Sequence, residues 1–217
     1  QGLLGINIGP NKGTKDRLSD YLIGLRTFYD IADYITINIS SPNTENLRNF
    51  HDEKRFDELL KSIEKEKIKL KSKIPIVVKI SPDILDNQVN LISEILLKYN
   101  IRAIIISNTT ESGREDLQNI SKYQKGGLSG KPLEEKSNKL IGKFYNLLKG
   151  KIIIIGVGGV DSGKSAYEKF LAGANYIQLY TGMVFQGPNI VGKIKKELKE
   201  ILKADGIKNF KEIIGKK

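Results

Sequence analysis

Six short apolar runs rich in β-branched residues recur along the chain: Leu3 to Ile8, Tyr34 to Ile39, Ile74 to Ile80, Ala103 to Ile106, Ile152 to Val157, and Tyr176 to Tyr180. Between them stand apolar residues at i, i+3, i+4 spacing. Leu22, Leu25, Phe28, Tyr29 and Ala32 share one helical face, and Val89, Ile92, Ile95, Leu96 and Tyr99 another. Leu140, Ile141, Phe144, Leu147 and Leu148 make a third, and Ile190, Ile194, Leu198, Ile201 and Leu202 a fourth. Strands that alternate with helices predict βαβ units and a parallel sheet. No linker, repeat or low-complexity stretch divides the 217 residues, so the expectation is one domain, or a large piece of one.

Composition excludes several classes. With 39% hydrophobic and 28% charged residues the chain suits a packed fold rather than disorder. No apolar run reaches the length of a membrane span, and no signal-peptide pattern opens it. The absence of cysteine removes disulfides, zinc-thiolate sites and thiol nucleophiles. The formal charge of +11 raises a nucleic-acid reading. Lysine supplies most of that charge and arginine, the better bidentate reader, is scarce. Lys193, Lys195, Lys196, Lys199 and Lys203 read as a solvated helix surface.

Polar residues gather at the ends of the apolar runs. The second run becomes Asn38-Ile39-Ser40-Ser41-Pro42-Asn43-Thr44, where proline must stop the strand and a buried Asn needs partners. The first ends in Asn7-Ile8-Gly9-Pro10, the third carries Lys79 and then Ser81-Pro82-Asp83, and the fourth ends in Ser107-Asn108-Thr109-Thr110. The fifth closes on Gly156-Val157-Gly158-Gly159 and the sixth on Gln178-Leu179-Tyr180-Thr181-Gly182. The C-terminal strand ends are where a (β/α) barrel builds its active site. Lys79 lies within Ile76-Val77-Val78-Lys79-Ile80, where an ammonium is costly unless it faces an electron-rich partner. His51, the only histidine, stands beside Asp52 and Glu53 and reads as a surface residue, which leaves no Ser-His-Asp triad for Ser41.

One motif points elsewhere. Gly158-Gly159-Val160-Asp161-Ser162-Gly163-Lys164-Ser165 matches the P-loop pattern and would predict a nucleotide triphosphatase. Only one strand follows it, however, and that strand lacks a terminal Asp to hold magnesium. The glycines instead suit a barrel phosphate site, formed by the loops after the last two strands and a helix N-terminus.

From Gly5 to about Gly215 the chain resembles the dihydroorotate dehydrogenases, in particular the membrane-associated, quinone-using class 2. The motifs that carry the resemblance are Gly5-Ile6-Asn7-Ile8-Gly9, Asn38 to Thr44, Val78-Lys79-Ile80, Asn108-Thr109-Thr110, Gly126 to Pro132, Gly156 to Gly159 and Gln178 to Thr181. The resemblance implies a TIM barrel, FMN, and oxidation of dihydroorotate to orotate in pyrimidine (UMP) biosynthesis. It implies Ser41 as the base and Asn38, Asn43, Asn108 and Thr109 as substrate contacts. Asn7, Asn38, Lys79 and Ser107 would meet the flavin, and Gly130, Gly159, Tyr180 and Thr181 its phosphate. It implies a membrane quinone as partner and a peripheral place on the cytoplasmic side of the inner membrane, or the cytoplasm for an isolated fragment. No metal and no nucleic acid are expected.

The chain departs from the family at Pro10, usually lysine, and at Ser107, where threonine is common. Six strands cannot close the usual eight-stranded barrel. Residues 1–217 are therefore expected to be the C-terminal part of a single FMN-binding barrel domain, lacking an N-terminal membrane segment and the first strands. Such a fragment is expected to bind FMN weakly alone and to turn over little or nothing. The rival expectations are the P-loop triphosphatase and a Lys-rich nucleic-acid-binding remnant.

Overall fold

The computed structural model describes residues 2–41, 51–115 and 117–217. Six strands form one sheet in sequential order: β1 (Gly5–Ile8), β2 (Tyr34–Asn38), β3 (Ile76–Ile80), β4 (Ala103–Ile106), β5 (Ile153–Val157) and β6 (Tyr176–Gln178). Every neighbouring pair is parallel. Helices fill the connections: α1 (Arg17–Phe28), α2 (Glu53–Lys69), α3 (Asp86–Lys98), α4 (Glu134–Leu148) and α5 (Gly163–Leu171). The short α6 (Thr181–Gln186) and the long α7 (Ile190–Ala204) follow β6. Among the described residues β1 and β6 remain edges, so the sheet is an open arc of a barrel, as expected from six strands.

The period-two alternation of each strand sorts its side chains. Ile35, Ile37, Ile76, Val78, Ile80, Ile104, Ile106 and Ile154 face outward into one large core with the helices. Val77, Ala103 and Ile105 face inward, with Tyr34, Ile153, Ile155 and Val157 packed against them. The same alternation sends Asn38 and its register partner Lys79 to the inner face, at the C-terminal end of the sheet. A parallel sheet covered on both faces needs apolar strands throughout, so these polar inward residues mark where its interior turns into a site.

The structure trims the expected strands. β1 begins at Gly5 because Leu3 and Leu4 are exposed, 81% and 51%, on the approach to the sheet. β6 ends at Gln178 because Tyr180 already caps α6. Helix α2 has no counterpart among the faces read from spacing, although Phe56, Leu59, Leu60 and Ile63 form its buried side. Its many charges masked the stripe: four apolar anchors in seventeen residues suffice when the rest of the helix is solvated.

His51 corrects the surface reading, being 3% exposed. The polar neighbours Asp52 and Glu53 start α2, and the helix turns its apolar face into the core directly after them. His51 is thereby held against α3, where Gln88 Nε2 donates to its carbonyl at 3.5 Å. The lysines of α7 are exposed, as expected.

Candidate functional site

The C-terminal ends of β3 to β6 enclose a cavity of about 640 Å³, within the range of small-molecule and cofactor sites. Its lining includes Lys79, Ser107, Asn108, Thr109, Gly130, Gly159, Tyr180 and Thr181. These eight predicted residues come from five separate stretches of chain, brought together only by the sheet. Asn38 and Ser41 stand outside that lining, at the end of β2, and Asn7 is exposed on β1. Asn43 lies outside the described residues.

Asn38 and Asn108 are joined through a residue that sequence reading passed over. Ser40, fully buried, donates its hydroxyl to Asn38 Oδ1 at 2.5 Å and accepts from Asn108 Nδ2 at 2.9 Å. Asn108 Oδ1 accepts from the Thr109 amide at 2.9 Å. Both amides therefore have their orientation set by a chain of hydrogen bonds crossing from β2 to β4. The ring of Tyr21 contributes from α1, its hydroxyl donating to the Asn38 carbonyl at 2.7 Å.

Lys79 is half-buried on the cavity wall, and among the described residues no carboxylate pairs with it. Burial pulls its pKa below the ordinary lysine value. A desolvated ammonium facing a cavity favours an electron-rich or anionic atom there.

At the other end of the cavity, Gly159 takes a φ of +75° and Gly130 of +76°. A Cβ on Gly159 would sit 2.4 Å from Glu134 Cβ, so this loop packs directly on the start of α4. Thr181 Oγ1 donates to Ser129 Oγ at 2.9 Å, tying the start of α6 to the loop that carries Gly130. Ser129 was also missed by sequence reading, since a serine in a glycine-rich loop has no distinguishing pattern.

The loop after β4 has its own clasp. Thr110 and Leu128 exchange backbone hydrogen bonds, which closes residues 111–127 into a loop. Asp83, from the end of β3, accepts from Thr110 and from Lys136 of α4, and from the Glu111 amide at 3.0 Å. Burial would raise the Asp83 pKa, but Lys136, Thr110 and the Glu111 amide outweigh it and hold the carboxyl below its usual range. Asn108 and Thr109 on one foot of this loop, and Gly130 beyond the other, are held in place by it.

The P-loop geometry is absent. Lys164 is exposed and neither it nor Ser165 lines the cavity. Ser165 Oγ is occupied by Ser162 and Asp161, and the Gly163 amide donates to Glu197 Oε2 at 2.6 Å. A carboxylate from α7 thus takes the place at the start of α5 that a triphosphate would need.

Beneath the cavity floor lies Lys169, fully buried in α5. Its Nζ donates to Asn138 Oδ1 at 2.8 Å and to Ser137 Oγ at 3.2 Å. Burial pulls its pKa down to about 7. Between that value and the ordinary lysine value near 10.4, the unfolded chain holds a proton that the folded chain has lost, so stability rises with pH across this window. Lys169→Met removes the dependence. From pH 7 to pH 9 the wild type should gain about 2 kcal/mol relative to that variant in denaturant unfolding; parallel curves would show that Lys169 does not titrate there.

An arc of parallel strands alternating with helices, with a cavity over the strand C-termini, is the architecture of an incomplete (β/α) barrel. Residues 1–202 match the family defined as dihydroorotate dehydrogenase, and the chain belongs to that family. It is 44% identical over 97% of its length to the dihydroorotate dehydrogenase (quinone) of Bartonella tribocorum. It is 42% identical over 98% of its length to the mitochondrial quinone enzyme of Mus musculus. The ligand-free dihydroorotate dehydrogenase of Eimeria tenella superposes over 100% of the chain with a TM-score of 0.95 at 33% identity. The chain spans 60% and 54% of the two curated relatives and 64% of the solved one.

Proposed function

We propose that this chain carries the cofactor and substrate site of a quinone-dependent dihydroorotate dehydrogenase, which oxidises dihydroorotate to orotate for pyrimidine synthesis. The observation that carries the proposal is the cavity wall on which the desolvated Lys79, with no carboxylate partner among the described residues, stands together with the ordered amide Asn108 and the glycine turns at Gly130 and Gly159. The Lys79 ammonium at one end and close-approach backbone with hydroxyls at the other fit an extended ligand with an electron-rich ring and a phosphate. FMN has both, and when bound it supplies a two-electron hydride acceptor.

In this reading Lys79, Ser107, Asn7 and Asn38 meet the ring, with Lys79 stabilising negative charge on it. Gly130, Gly159, Tyr180 and Thr181 hold the phosphate through backbone amides and hydroxyls. Asn38, Asn43, Asn108 and Thr109 hold the substrate, whose amide-like edge needs both donors and acceptors. Ser41 takes the proton from C5 while C6 gives up hydride, and the C5–C6 single bond becomes double. A serine hydroxyl is a weak base, so its own proton passes through a polar relay to solvent as the substrate proton arrives. The open edges of β1 and β6 fit pairing with further strands, which in this reading belong to an N-terminal segment of the same protein. The electrons then pass to a membrane quinone, with the protein peripheral to that membrane.

The test is the visible spectrum of the purified chain after incubation with FMN and desalting. A shifted flavin fraction is expected to survive desalting, held weakly by an open arc of six strands, with affinity about tenfold weaker still in Lys79→Met, the loss of one charge-assisted contact. A colourless wild-type chain would overturn the assignment of the cavity to FMN in this polypeptide.

A further inference from the structure

The cavity has a polar support that none of its lining residues provides. Ser137 Oγ, fully buried on α4, donates to the Val157 carbonyl at 2.5 Å. The same carbonyl accepts from the Ser107 amide at 3.2 Å. Ser107, Val157 and Gly158 all line the cavity. Lys169 Nζ stands behind this junction, donating to Ser137 Oγ and to Asn138 Oδ1. A continuous line of hydrogen bonds therefore runs from α5 through α4 to the ends of β4 and β5.

The backbone is shaped to admit it. The Lys169 stem passes beneath β5 at Gly156, where a Cβ would stand 3.0 Å from Lys169 Cδ. Burying a lysine that makes no hydrogen bond to a carboxylate among the described residues is expensive, and an apolar residue would fill the same space more cheaply. What only lysine provides here is a donor that holds the Ser137 hydroxyl as an acceptor and directs its proton toward Val157.

We propose that Lys169 is a positioning residue for the phosphate end of the cavity: through Ser137 it pins the Val157 carbonyl backward, so that the following Gly158 and Gly159 are presented to an anionic group. This rests on the FMN reading for the identity of the anion. The charges that face Lys169 are Glu134 at the start of α4, which favours its protonated form, and Lys131 and Lys217, which oppose it. Protonation strengthens its donation to Ser137 and adds positive charge behind the glycines. The effect should therefore belong to the phosphate and grow as the pH falls.

Two ligands and one ligand-free measurement test this. FMN binding should weaken about tenfold in Lys169→Met and in Ser137→Ala, which keeps the lysine but breaks the relay. Riboflavin, which lacks the phosphate, should bind all three proteins alike. The wild-type advantage for FMN should shrink between pH 6 and pH 8.5. In the ligand-free chain, the amide resonances of Gly158 and Gly159 should titrate near pH 7 in the wild type and not in Lys169→Met. Equal FMN affinities in all three proteins, or glycine resonances that titrate alike with and without Lys169, overturn the proposal. Titrating resonances in a wild type that retains no FMN would support the relay and sink the flavin reading instead.

Discussion

Gly159→Ala is expected to abolish flavin retention and to lower the melting temperature by about 10 °C. The residue is buried with a φ of +75°, a region that costs an L side chain about 1–2 kcal/mol. Its added methyl would lie 2.4 Å from Glu134 Cβ and 2.8 Å from Glu134 Cα, the first residue of α4. That neighbour is backbone, so relief requires the loop or the helix to move, at a further cost of about 1–3 kcal/mol. A total near 3 kcal/mol converts to about 10 °C for a domain of this size. Because the loop is also cavity wall, the displacement should reach the ligand. Gly192→Ala is the control, since nothing lies within 4 Å of its added methyl. Thermal melts and flavin absorbance on both variants check the prediction. Wild-type retention in Gly159→Ala would mean that this turn does not touch the cofactor.

Ser41→Ala should leave flavin retention unchanged and slow the bleaching of the flavin by dihydroorotate by about 10²–10⁴-fold, the usual contribution of a positioned general base. Ser41 is outside the cavity lining, so its loss removes no wall contact. It follows directly on Ser40, whose hydroxyl fixes Asn38 and Asn108. The substrate amides therefore keep their orientation in the variant, and the loss falls on proton removal rather than on binding. Anaerobic stopped-flow reduction of FMN-loaded protein measures it. Reduction at the wild-type rate would remove Ser41 from the role of base.

The sequence by itself determined the architecture. Short, continuous apolar runs rich in β-branched residues, alternating with faces of period 3.6, admit little besides a parallel α/β sheet, because each element can bury its apolar side only against the other kind. It also located part of the cavity wall, since polar residues and glycines at the end of an otherwise apolar strand are hard to explain as packing. Lys79 is the clearest case: an ammonium inside Ile76-Val77-Val78-Lys79-Ile80 is costly unless it faces an electron-rich partner. The P-loop pattern was equally legible and misleading, for spacing says nothing about which way Lys164 points or that Glu197 occupies the Gly163 amide.

Tertiary structure alone decided the remainder. α2 is so heavily charged that four buried anchors escaped notice, and His51 is buried by contacts with α3 that its own neighbours in sequence do not foretell. Ser40, Ser129 and Ser137 look ordinary in sequence and acquire their roles from partners 68, 52 and 20 residues away. Lys169 reads as one more lysine in a lysine-rich chain, yet it is fully buried. The physical reason is common to all of them. Hydrophobic pattern is a local property that a strand or helix carries with it, whereas a hydrogen bond between distant elements exists only after the sheet has set their register.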